Sequence, residues 1–281
     1  MTIIRSIKKM QKLAREIAGQ GRTIGLVPTM GFLHEGHLSL IRKAKQKADI
    51  VITTIFVNPA QFAPNEDLSK YPRDEKGDIR KIVSAGGEIV FIPKADEIYP
   101  EDFQTYVTVE RLTQTLEGAA RPTHFRGVTT IVAKLFNITR PDVAVFGMKD
   151  FQQAVVLKRM TEDLGYPIKF IIAPTVRLKS GLALSSRNKY FSTEQLPEVC
   201  CLYHALTAAK ALVQNGETSP AKIKKEMRRV ILTTCPSAQV DYISFNGLVD
   251  LSTPARVVRG TICSLAVRVY GVRLIDNMKL A

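Results

Sequence analysis

The sequence has no tryptophan and is poor in cysteine and histidine, with four of each among 281 residues. Cys200 and Cys201 are adjacent, whereas Cys235 and Cys263 stand alone, so the chain has neither C-x-x-C spacing nor a dense disulfide framework. This usage excludes a small secreted fold held together by disulfides. We expect the thiols to be reduced and mostly buried, in a cytoplasmic protein.

Long apolar runs are also missing. No segment approaches the ~18 consecutive apolar residues of a membrane-spanning helix, and residues 1–21 have the pattern of an amphipathic helix without a small-residue cleavage site. The apolar fraction of 45% is nevertheless enough to fill a core, which excludes disordered, collagen-like and coiled-coil classes. We therefore expect a globular protein that is neither exported nor bound to a membrane.

Acidic residues are in deficit, with 26 Asp and Glu against 40 Lys and Arg, which gives a formal charge of +14. The excess is spread over residues 1–176 and 177–281, and no aromatic residues interleave with the densest basic cluster as a nucleic-acid stacking platform requires. That cluster has the spacing of a solvated helix face. It consists of Lys222, Lys224, Lys225, Arg228 and Arg229. The charge therefore favours anionic small molecules at least as well as RNA.

Apolar, β-branched runs alternate with helical patterns such as Leu38–Ala48 and Val128–Asn137 in the first two thirds of the chain. This alternation predicts βαβ units and a parallel sheet with helices on both faces. The predicted strands are Thr23–Val27, Ile50–Val57, Glu88–Ile92, Asp142–Phe146 and Ile168–Ile172.

The pattern changes at about Arg177. Two helical stretches, Glu194–Gln214 and Pro220–Thr234, precede strand-like Gln239–Phe245 and Thr261–Val269. We predict a larger α/β domain over residues 1–176 and a smaller α+β domain over residues 177–281.

Ligands of open parallel sheets bind beyond the carboxyl ends of the strands, and unusual residues follow the first predicted strand. His34 and His37 are three residues apart, where a helix is predicted to begin at about His37, and Gly36 permits close approach of a ligand to the backbone. Together with the N–H groups of a helix N-terminus, they predict a phosphate site. The alternative is a pair of surface histidines; a metal site would need further ligands.

Other candidates follow later strands. Asn58 and Gln61 frame a turn fixed by Pro59 and could bind a small polar substrate. Gly147, Lys149 and Asp150 combine a free backbone, a point charge for phosphate and a possible helix N-cap, and Ser185, Ser186 and Arg187 could clamp phosphate. Each signal is weak alone, because a solvent-facing lysine or any βα loop could look the same.

The combination is more specific than its parts. The segments VPTMGFLHEGH, FVNPAQF, YPR, HFRGV, PDVAVFGMKDFQQ, GLALSSRN and RLIDN occur in this order along nearly the whole chain. Together they resemble the pantoate–β-alanine ligase (pantothenate synthetase) family, which is similar to class I aminoacyl-tRNA synthetases and nucleotidylyltransferases in its H-x-G-H motif and Rossmann-like domain.

The resemblance implies an α/β fold, with a Rossmann-like parallel sheet domain and a smaller α+β C-terminal domain. It also implies a cytoplasmic homodimer that joins pantoate to β-alanine with ATP and Mg²⁺, through a pantoyl adenylate, releasing AMP and pyrophosphate. Nucleic acid and membrane partners are not expected.

The resemblance further implies roles for individual residues. His34, His37, Lys149 and Arg187 would be catalytic, acting on the phosphates with His37 as proton donor. Gln61 and Gln153 would hold pantoate, with Gln61 also near β-alanine and Asn58 beside them. The implied ATP site comprises Met30, Gly31, Phe32, Leu33, His34, Glu35, Gly36, His37, Gly147, Met148, Lys149, Asp150, Val176, Leu184, Ser185, Ser186 and Arg187.

Two departures from the family pattern matter. Met148 stands where the family commonly has Glu, and Gly77 precedes a single Asp78 where the family often has consecutive acidic residues associated with a metal. The protein ligands of Mg²⁺ are therefore left unassigned, and the nucleotide phosphates are expected to supply most of them. A nucleotidylyltransferase and an RNA-binding protein are the alternatives, the second on charge alone.

Overall fold

The computed structural model describes residues 1–63 and 68–280. The chain divides into two compact units, and each is described by itself below. The first unit comprises Met1–Met148 and Val156–Pro174, and the second comprises Lys149–Val155 and Thr175–Ala281. The main chain thus passes to the second unit at Pro174, and a short segment around Lys149 also belongs to it.

Within the described residues, the first unit contains one sheet of six parallel strands in the order β1-β4-β3-β2-β5-β6. Because β2 is paired with β3 on one side and β5 on the other, the strand order reverses at β2, and ligands of such sheets bind at that reversal. The strands are β1 (Thr2–Ile4), β2 (Ile24–Thr29), β3 (Ile50–Ile55), β4 (Ile89–Phe91), β5 (Val143–Gly147) and β6 (Lys169–Ala173).

Helices cover both faces of this sheet, because its strands bury side chains on alternate sides. Leu26 of β2 belongs to a core cluster with residues of α1, α6 and α7, whereas Val27 belongs to a cluster with residues of α2 and α3. The helices are α1 (Ile7–Gly19), α2 (Glu35–Lys45), α3 (Glu75–Ser84), α4 (Ala95–Ile98), α5 (Leu116–Ala120), α6 (His124–Thr139) and α7 (Phe151–Asp163), whose first residues belong to the second unit.

In its described part, the second unit packs helices against an antiparallel sheet of three strands in the order β7-β8-β9. Ser219 caps α10 by accepting a hydrogen bond from Lys222 N, with Pro220 in the first helical position. The elements are α8 (Leu196–Val199), α9 (Cys201–Gln214), α10 (Pro220–Thr234), β7 (Gln239–Asn246), β8 (Ile262–Val269) and β9 (Val272–Lys279).

The predicted α/β class with a smaller α+β part is confirmed, but two helix predictions are wrong, in addition to the start of the helix Glu35–Lys45 described below. Residues 1–21 do not form one helix, because Thr2–Ile4 pairs with Ile89–Phe91 as β1 and α1 begins only at Ile7. The helical stretch Glu194–Gln214 is divided at Cys200 into α8 and α9. Strand β9 was not predicted, because its residues show no strong alternation of apolar and polar side chains. The strand is defined by its pairing with β8.

The cysteines Cys200, Cys201, Cys235 and Cys263, all in the described part of the chain, are free and buried, as predicted. Burial raises the pKa of Cys201 to about 12, so its thiol stays protonated. The surrounding stretch Leu196–Gln214 is the one described helical segment long and apolar enough to cross a membrane. Its buried residues lie in the core of the second unit, as in the core helix of a globular domain.

A buried ion pair joins the start of the second unit to its last strand. The guanidinium of Arg177 donates to both carboxylate oxygens of Asp276 at 2.6 and 2.9 Å, and to the carbonyl oxygens of Gly181 and Asn277 at 3.1 and 3.0 Å. The Asp276 side chain is only 4% exposed. Removing one partner would leave a buried charge without compensation.

We therefore predict that Asp276→Asn lowers the free energy of unfolding by about 3 kcal/mol. Urea denaturation followed by circular dichroism measures this, because the chain has no tryptophan whose fluorescence could report unfolding. The control is Glu226→Gln, which breaks an exposed bidentate pair with Arg229 on α10 and should change the free energy of unfolding far less. Equal losses for the two variants would contradict the special weight given to the Asp276 pair.

Candidate active site

The loop between β2 and α2 has a backbone that few sequences can adopt. Gly31 and Phe32 both have positive φ, +84° and +51°. A Cβ at Gly31 would lie 3.0 Å from Ile55 Cγ2 and 3.1 Å from Asp78 Oδ2, so glycine is required for both conformation and space. Thr29 Oγ1 accepts a hydrogen bond from Gly31 N at 3.2 Å. The loop is thus held tightly from its first residue.

Asp78 of α3 fixes the next residues of this loop. Its Oδ2 accepts from Phe32 N and its Oδ1 from Leu33 N, both at 2.7 Å, while Lys81 Nζ donates to Leu33 O at 2.8 Å. Asp78 is 1% exposed, and burial raises its pKa above the ordinary value, although the backbone N–H bonds and Lys81 oppose the rise. The sequence left the metal ligands unassigned and gave Asp78 no role; in the structure Asp78 anchors the loop backbone.

The histidine pair stands at the amino end of α2, which begins at Glu35 and not at the predicted His37. His34 is the N-cap residue, and its backbone N–H donates to His37 Nδ1 at 3.3 Å. The two rings lie 4.1 Å apart. Because Nδ1 of His37 accepts this bond, a neutral His37 carries its proton on Nε2. The Glu35 side chain is exposed and pairs with Arg42.

The turn after β3 lies beside this loop. Gln61 Nε2 is 3.0 Å from Met30 Sδ, so the loops that follow β2 and β3 meet there, as expected for neighbouring parallel strands. Asn58 begins the turn, is 1% exposed, and donates from Nδ2 to Gln61 Oε1 at 3.1 Å. The expected pair of amides is therefore adjacent in space.

The start of α6 supports the same turn through residues to which sequence reasoning gave no role. His124 Nδ1 lies 2.9 Å from Gln61 O, and Arg121 Nη2 donates to the same oxygen at 3.3 Å. A Cβ at Gly127 would lie 2.2 Å from Ala60 O, so only glycine permits this approach. The segment HFRGV was the available signal.

In the second unit, Lys149 is fixed through its backbone. Asn277 Nδ2 of β9 donates to Lys149 O at 2.8 Å, and Lys149 Nζ lies 3.3 Å from Asp150 Oδ1. Asp150 directly precedes α7, and Gln153 lies in the first turn of that helix. The segment RLIDN, which had no assigned role, therefore binds Arg177 through Asp276 and Lys149 through Asn277.

The segment Leu184–Arg187 of the second unit forms a capped turn. Leu184 N donates to Val176 O at 3.0 Å, and Ser185 Oγ accepts from Arg187 N at 3.3 Å at the start of a 3₁₀ turn over Ser186–Tyr190. Asn188 Oδ1 accepts from Ser185 N. The backbone here is fixed by its own side chains.

The candidate residues are thus divided between the units. Those of the first unit are Met30, Gly31, Phe32, Leu33, His34, Glu35, Gly36, His37, Asn58, Gln61, Gly147 and Met148. Those of the second unit are Lys149, Asp150, Gln153, Val176, Leu184, Ser185, Ser186 and Arg187. Over residues 1–63 and 68–280, no group of three or more His, Cys, Asp or Glu side chains is arranged to hold a metal ion.

Comparison with known proteins gives a consistent result. A sequence model described as pantoate-beta-alanine ligase matches residues 2–279. A pantothenate synthetase of Geobacter sulfurreducens is 47% identical over 280 residues, spanning 100% of this chain and 99% of the relative. A pantothenate synthetase structure from Thermus thermophilus matches with a TM-score of 0.93 at 38% identity, covering 100% of this chain and 99% of the other.

A pantoate-beta-alanine ligase structure from Francisella tularensis, complexed with beta-gamma ATP and beta-alanine, matches with a TM-score of 0.80 at 33% identity. It covers 99% of this chain and 97% of the other.

A parallel sheet whose strand order reverses at β2, with an H-x-G-H motif at the amino end of the following helix, defines a Rossmann-like α/β protein. Within that class, the match extends along the whole chain and includes the second unit. The chain belongs to the pantoate–β-alanine ligase family, and its activity is the ligation of pantoate to β-alanine. This assignment favours the ligase over both alternatives that the sequence left open.

The anchoring of the loop by Asp78 leads to a prediction. In Asp78→Asn, one carboxylate oxygen becomes an NH₂ group facing a backbone N–H, and a buried donor without an acceptor costs about 1–3 kcal/mol. We expect kcat/KM for ATP to fall about tenfold, as that cost is met by distortion of the loop. Steady-state kinetics is the readout, because removal of the buried charge offsets part of any loss in stability.

The control is Asp74→Asn, four residues earlier on the same segment. Asp74 caps α3 by accepting from Gly77 N at 3.0 Å, and asparagine caps a helix about as well as aspartate does. Its kcat/KM should therefore stay within about twofold of the wild type. Equal kinetic losses in both variants would show that Asp78 acts through α3 and not through the loop.

Proposed function

We propose that this ligase works in two half-reactions through an enzyme-bound pantoyl adenylate. A carboxylate oxygen of pantoate attacks the α-phosphorus of ATP and pyrophosphate leaves; the amine of β-alanine then attacks the activated carbonyl carbon, loses a proton and expels AMP. The observation that carries the proposal is the His34–His37 pair at the amino end of α2, beside a loop that Asp78 holds rigid.

The first half-reaction needs stabilisation of negative charge on phosphoryl oxygens. The amino end of α2 supplies backbone N–H groups and a positive dipole, and a neutral His37 directs an Nε2 proton to hydrogen-bond acceptors. Because the loop before α2 is already fixed by protein hydrogen bonds, little reorganisation is required as charge develops. We accordingly propose that His37 donates a hydrogen bond from Nε2 to the departing pyrophosphate.

The glycine at position 147 favours a nucleotide site at the carboxyl end of β5. A Cβ at this position would meet, among the described atoms, only Leu40 Cδ1 at 4.0 Å, so no close protein contact requires glycine there. A ligand that approaches the backbone closely would require it. Met148 follows where the family commonly has Glu, and it contributes no charge to the proposed chemistry.

From the second unit, Lys149 and Arg187 are proposed to bind nucleotide phosphates, with Ser185 and Ser186 as hydroxyl donors. Lysine supplies a point charge and arginine a planar fork, which suits phosphate oxygens that change position during the reaction. The Lys149 side chain is 22% exposed and its backbone is held by Asn277, so the point from which the side chain extends is fixed.

Gln61 and Gln153 are proposed to orient pantoate, an anion with two hydroxyl groups, and Gln61 is also proposed to lie near β-alanine. Amide groups suit this substrate because they bind hydroxyl and carboxylate oxygens without adding charge. The reaction also requires that water be excluded, since an acyl adenylate is hydrolysed when exposed.

The described acidic residues form no metal cage, and both oxygens of Asp78 already accept backbone N–H groups. We therefore propose that the nucleotide enters as its Mg²⁺ complex, with phosphate oxygens and water as most of the ligands. We further propose a cytoplasmic homodimer without nucleic acid or membrane partners.

The intermediate is tested by isotope exchange. Labelled pyrophosphate should exchange into ATP in the presence of pantoate without β-alanine. His37→Ala should slow this exchange by a factor that corresponds to the loss of about 3 kcal/mol of transition-state stabilisation. Reaction of β-alanine with separately supplied pantoyl adenylate should be much less affected. Exchange that required β-alanine would exclude the adenylate.

His37→Asn serves as the matched variant for this experiment. Its side-chain oxygen can still accept the His34 N–H at the amino end of α2, but it lacks the Nε2 proton. It should be about as defective as His37→Ala in exchange. A near-normal rate would mean that His37 acts by capping α2 and not as a donor to the phosphates.

Lys149→Ala should lower kcat/KM at least about a hundredfold with an unchanged circular dichroism spectrum, because a charge-assisted phosphate contact in a closed site is worth about 2–4 kcal/mol in the transition state. The control is Lys158→Ala. Lys158 is an exposed lysine on α7, the helix that follows Lys149, and it pairs with Glu162. The activity of this variant should be unchanged. Near-normal turnover of Lys149→Ala would remove that residue from the site.

A further inference from the structure

Asn58 is a buried amide whose hydrogen bonds all go to protein groups. Its Oδ1 accepts from Ala60 N at 3.3 Å and from Tyr99 OH at 2.8 Å, and its Nδ2 donates to Gly127 O and Gln61 Oε1, each at 3.1 Å. At 1% exposure, its surface is almost entirely covered. Asn58 therefore supports the Gln61 side chain from the protein interior.

The orientation of this amide follows from two backbone groups of fixed polarity. Ala60 N–H can only donate, so the atom facing it is the side-chain oxygen, and Gly127 C=O can only accept, so the atom facing it is the nitrogen. In a flipped Asn58, the nitrogen would face the N–H donor of Ala60, and the oxygen would face the carbonyl oxygen of Gly127. Its nitrogen therefore faces Gln61.

This orientation determines which end of Gln61 is presented to a ligand. Gln61 Oε1 is held by the nitrogen of Asn58, so Nε2 points the other way, toward Met30 Sδ at 3.0 Å. A thioether is a weak acceptor that a substrate oxygen can replace at little cost. Gln61 is thus set as a hydrogen-bond donor.

Tyr99 completes the network and is itself held firmly. It follows α4, and its ring packs edge-on against Phe103 at 5.1 Å and lies 6.4 Å from Phe56, with Lys134 Nζ 5.7 Å from its centroid. Burial raises the pKa of Tyr99, so its hydroxyl stays protonated at neutral pH. Asn58 Oδ1 therefore always meets an O–H donor.

We propose that Tyr99 is a positioning residue for pantoate: through Asn58 it holds Gln61 with its N–H donors toward the substrate, so that Gln61 recognises an acceptor oxygen of pantoate. Asn58 is in this account part of the support and not a direct substrate contact. The inference rests on the proposed function, in which Gln61 binds pantoate.

The test is Tyr99→Phe, which keeps the ring and its packing and removes one donor. Loss of one hydrogen bond behind Gln61 should raise KM for pantoate about three- to tenfold, with KM for ATP unchanged and kcat within about twofold. Tyr106→Phe is the control, because Tyr106 packs against Phe103 in the same cluster, 5.2 Å between centroids, and is 40% exposed. Equal increases in KM for ATP and pantoate in Tyr99→Phe would indicate general damage and overturn the proposal.

A double-mutant cycle with Gln61→Ala separates positioning from packing. If Tyr99 acts through Gln61, adding Tyr99→Phe to Gln61→Ala should change KM for pantoate by less than about twofold. Additive effects would overturn the proposal. If Gln61→Ala raises KM for pantoate but Tyr99→Phe does not, the inference fails and the proposed role of Gln61 stands. If Gln61→Ala has no effect on pantoate, the proposed role fails, and the inference fails with it.

Discussion

The hydrogen bonds between the Asp78 carboxylate and the backbone N–H groups of Phe32 and Leu33 are the constraint on which the loop of the proposed nucleotide site depends. Positive φ at Gly31 and Phe32 turns the chain sharply after β2, and this conformation persists only because its N–H groups have an acceptor. This sharp turn places the N-terminus of α2 directly beyond the edge of the sheet, at the point where the strand order reverses. The buried charge, whose pKa is raised, is the cost of this rigidity.

The same design principle recurs in both units. The groups proposed to bind substrate or phosphate are half-exposed, and each is supported by a buried amide: Asn58 bonds to the Gln61 side chain, and Asn277 bonds to the Lys149 backbone. Buried amides suit this work because they supply a donor and an acceptor without the desolvation cost of a charge. The polarity of a substrate pocket can therefore be set by residues that never touch the substrate.

Much of the fold could be predicted from local pattern. The strands at Ile50, Val143 and Lys169 and the helix Pro220–Thr234 follow from β-branched runs, helical periodicity and a Ser-Pro start. Where local signal was weak, prediction failed: β1 is three residues long and is defined by pairing with β4, and β9 by pairing with β8. The predicted start of α2 was wrong because its N-cap is His34. Histidine is not among the common N-cap residues, so no recognisable capping signal marks this position.

Most of the elements, the family and the positions of the motifs after strands can be read from the sequence alone, because periodicity, turn residues and motif spacing are local properties of the chain. Which groups support those motifs depends on the tertiary fold. Asp78 is 46 residues from Phe32, Tyr99 is 41 from Asn58, and Asn277 is 128 from Lys149. Such partners are chosen by which strand ends and loops become neighbours, and a hydrogen bond, unlike a periodic pattern, leaves no trace in the residues between its ends.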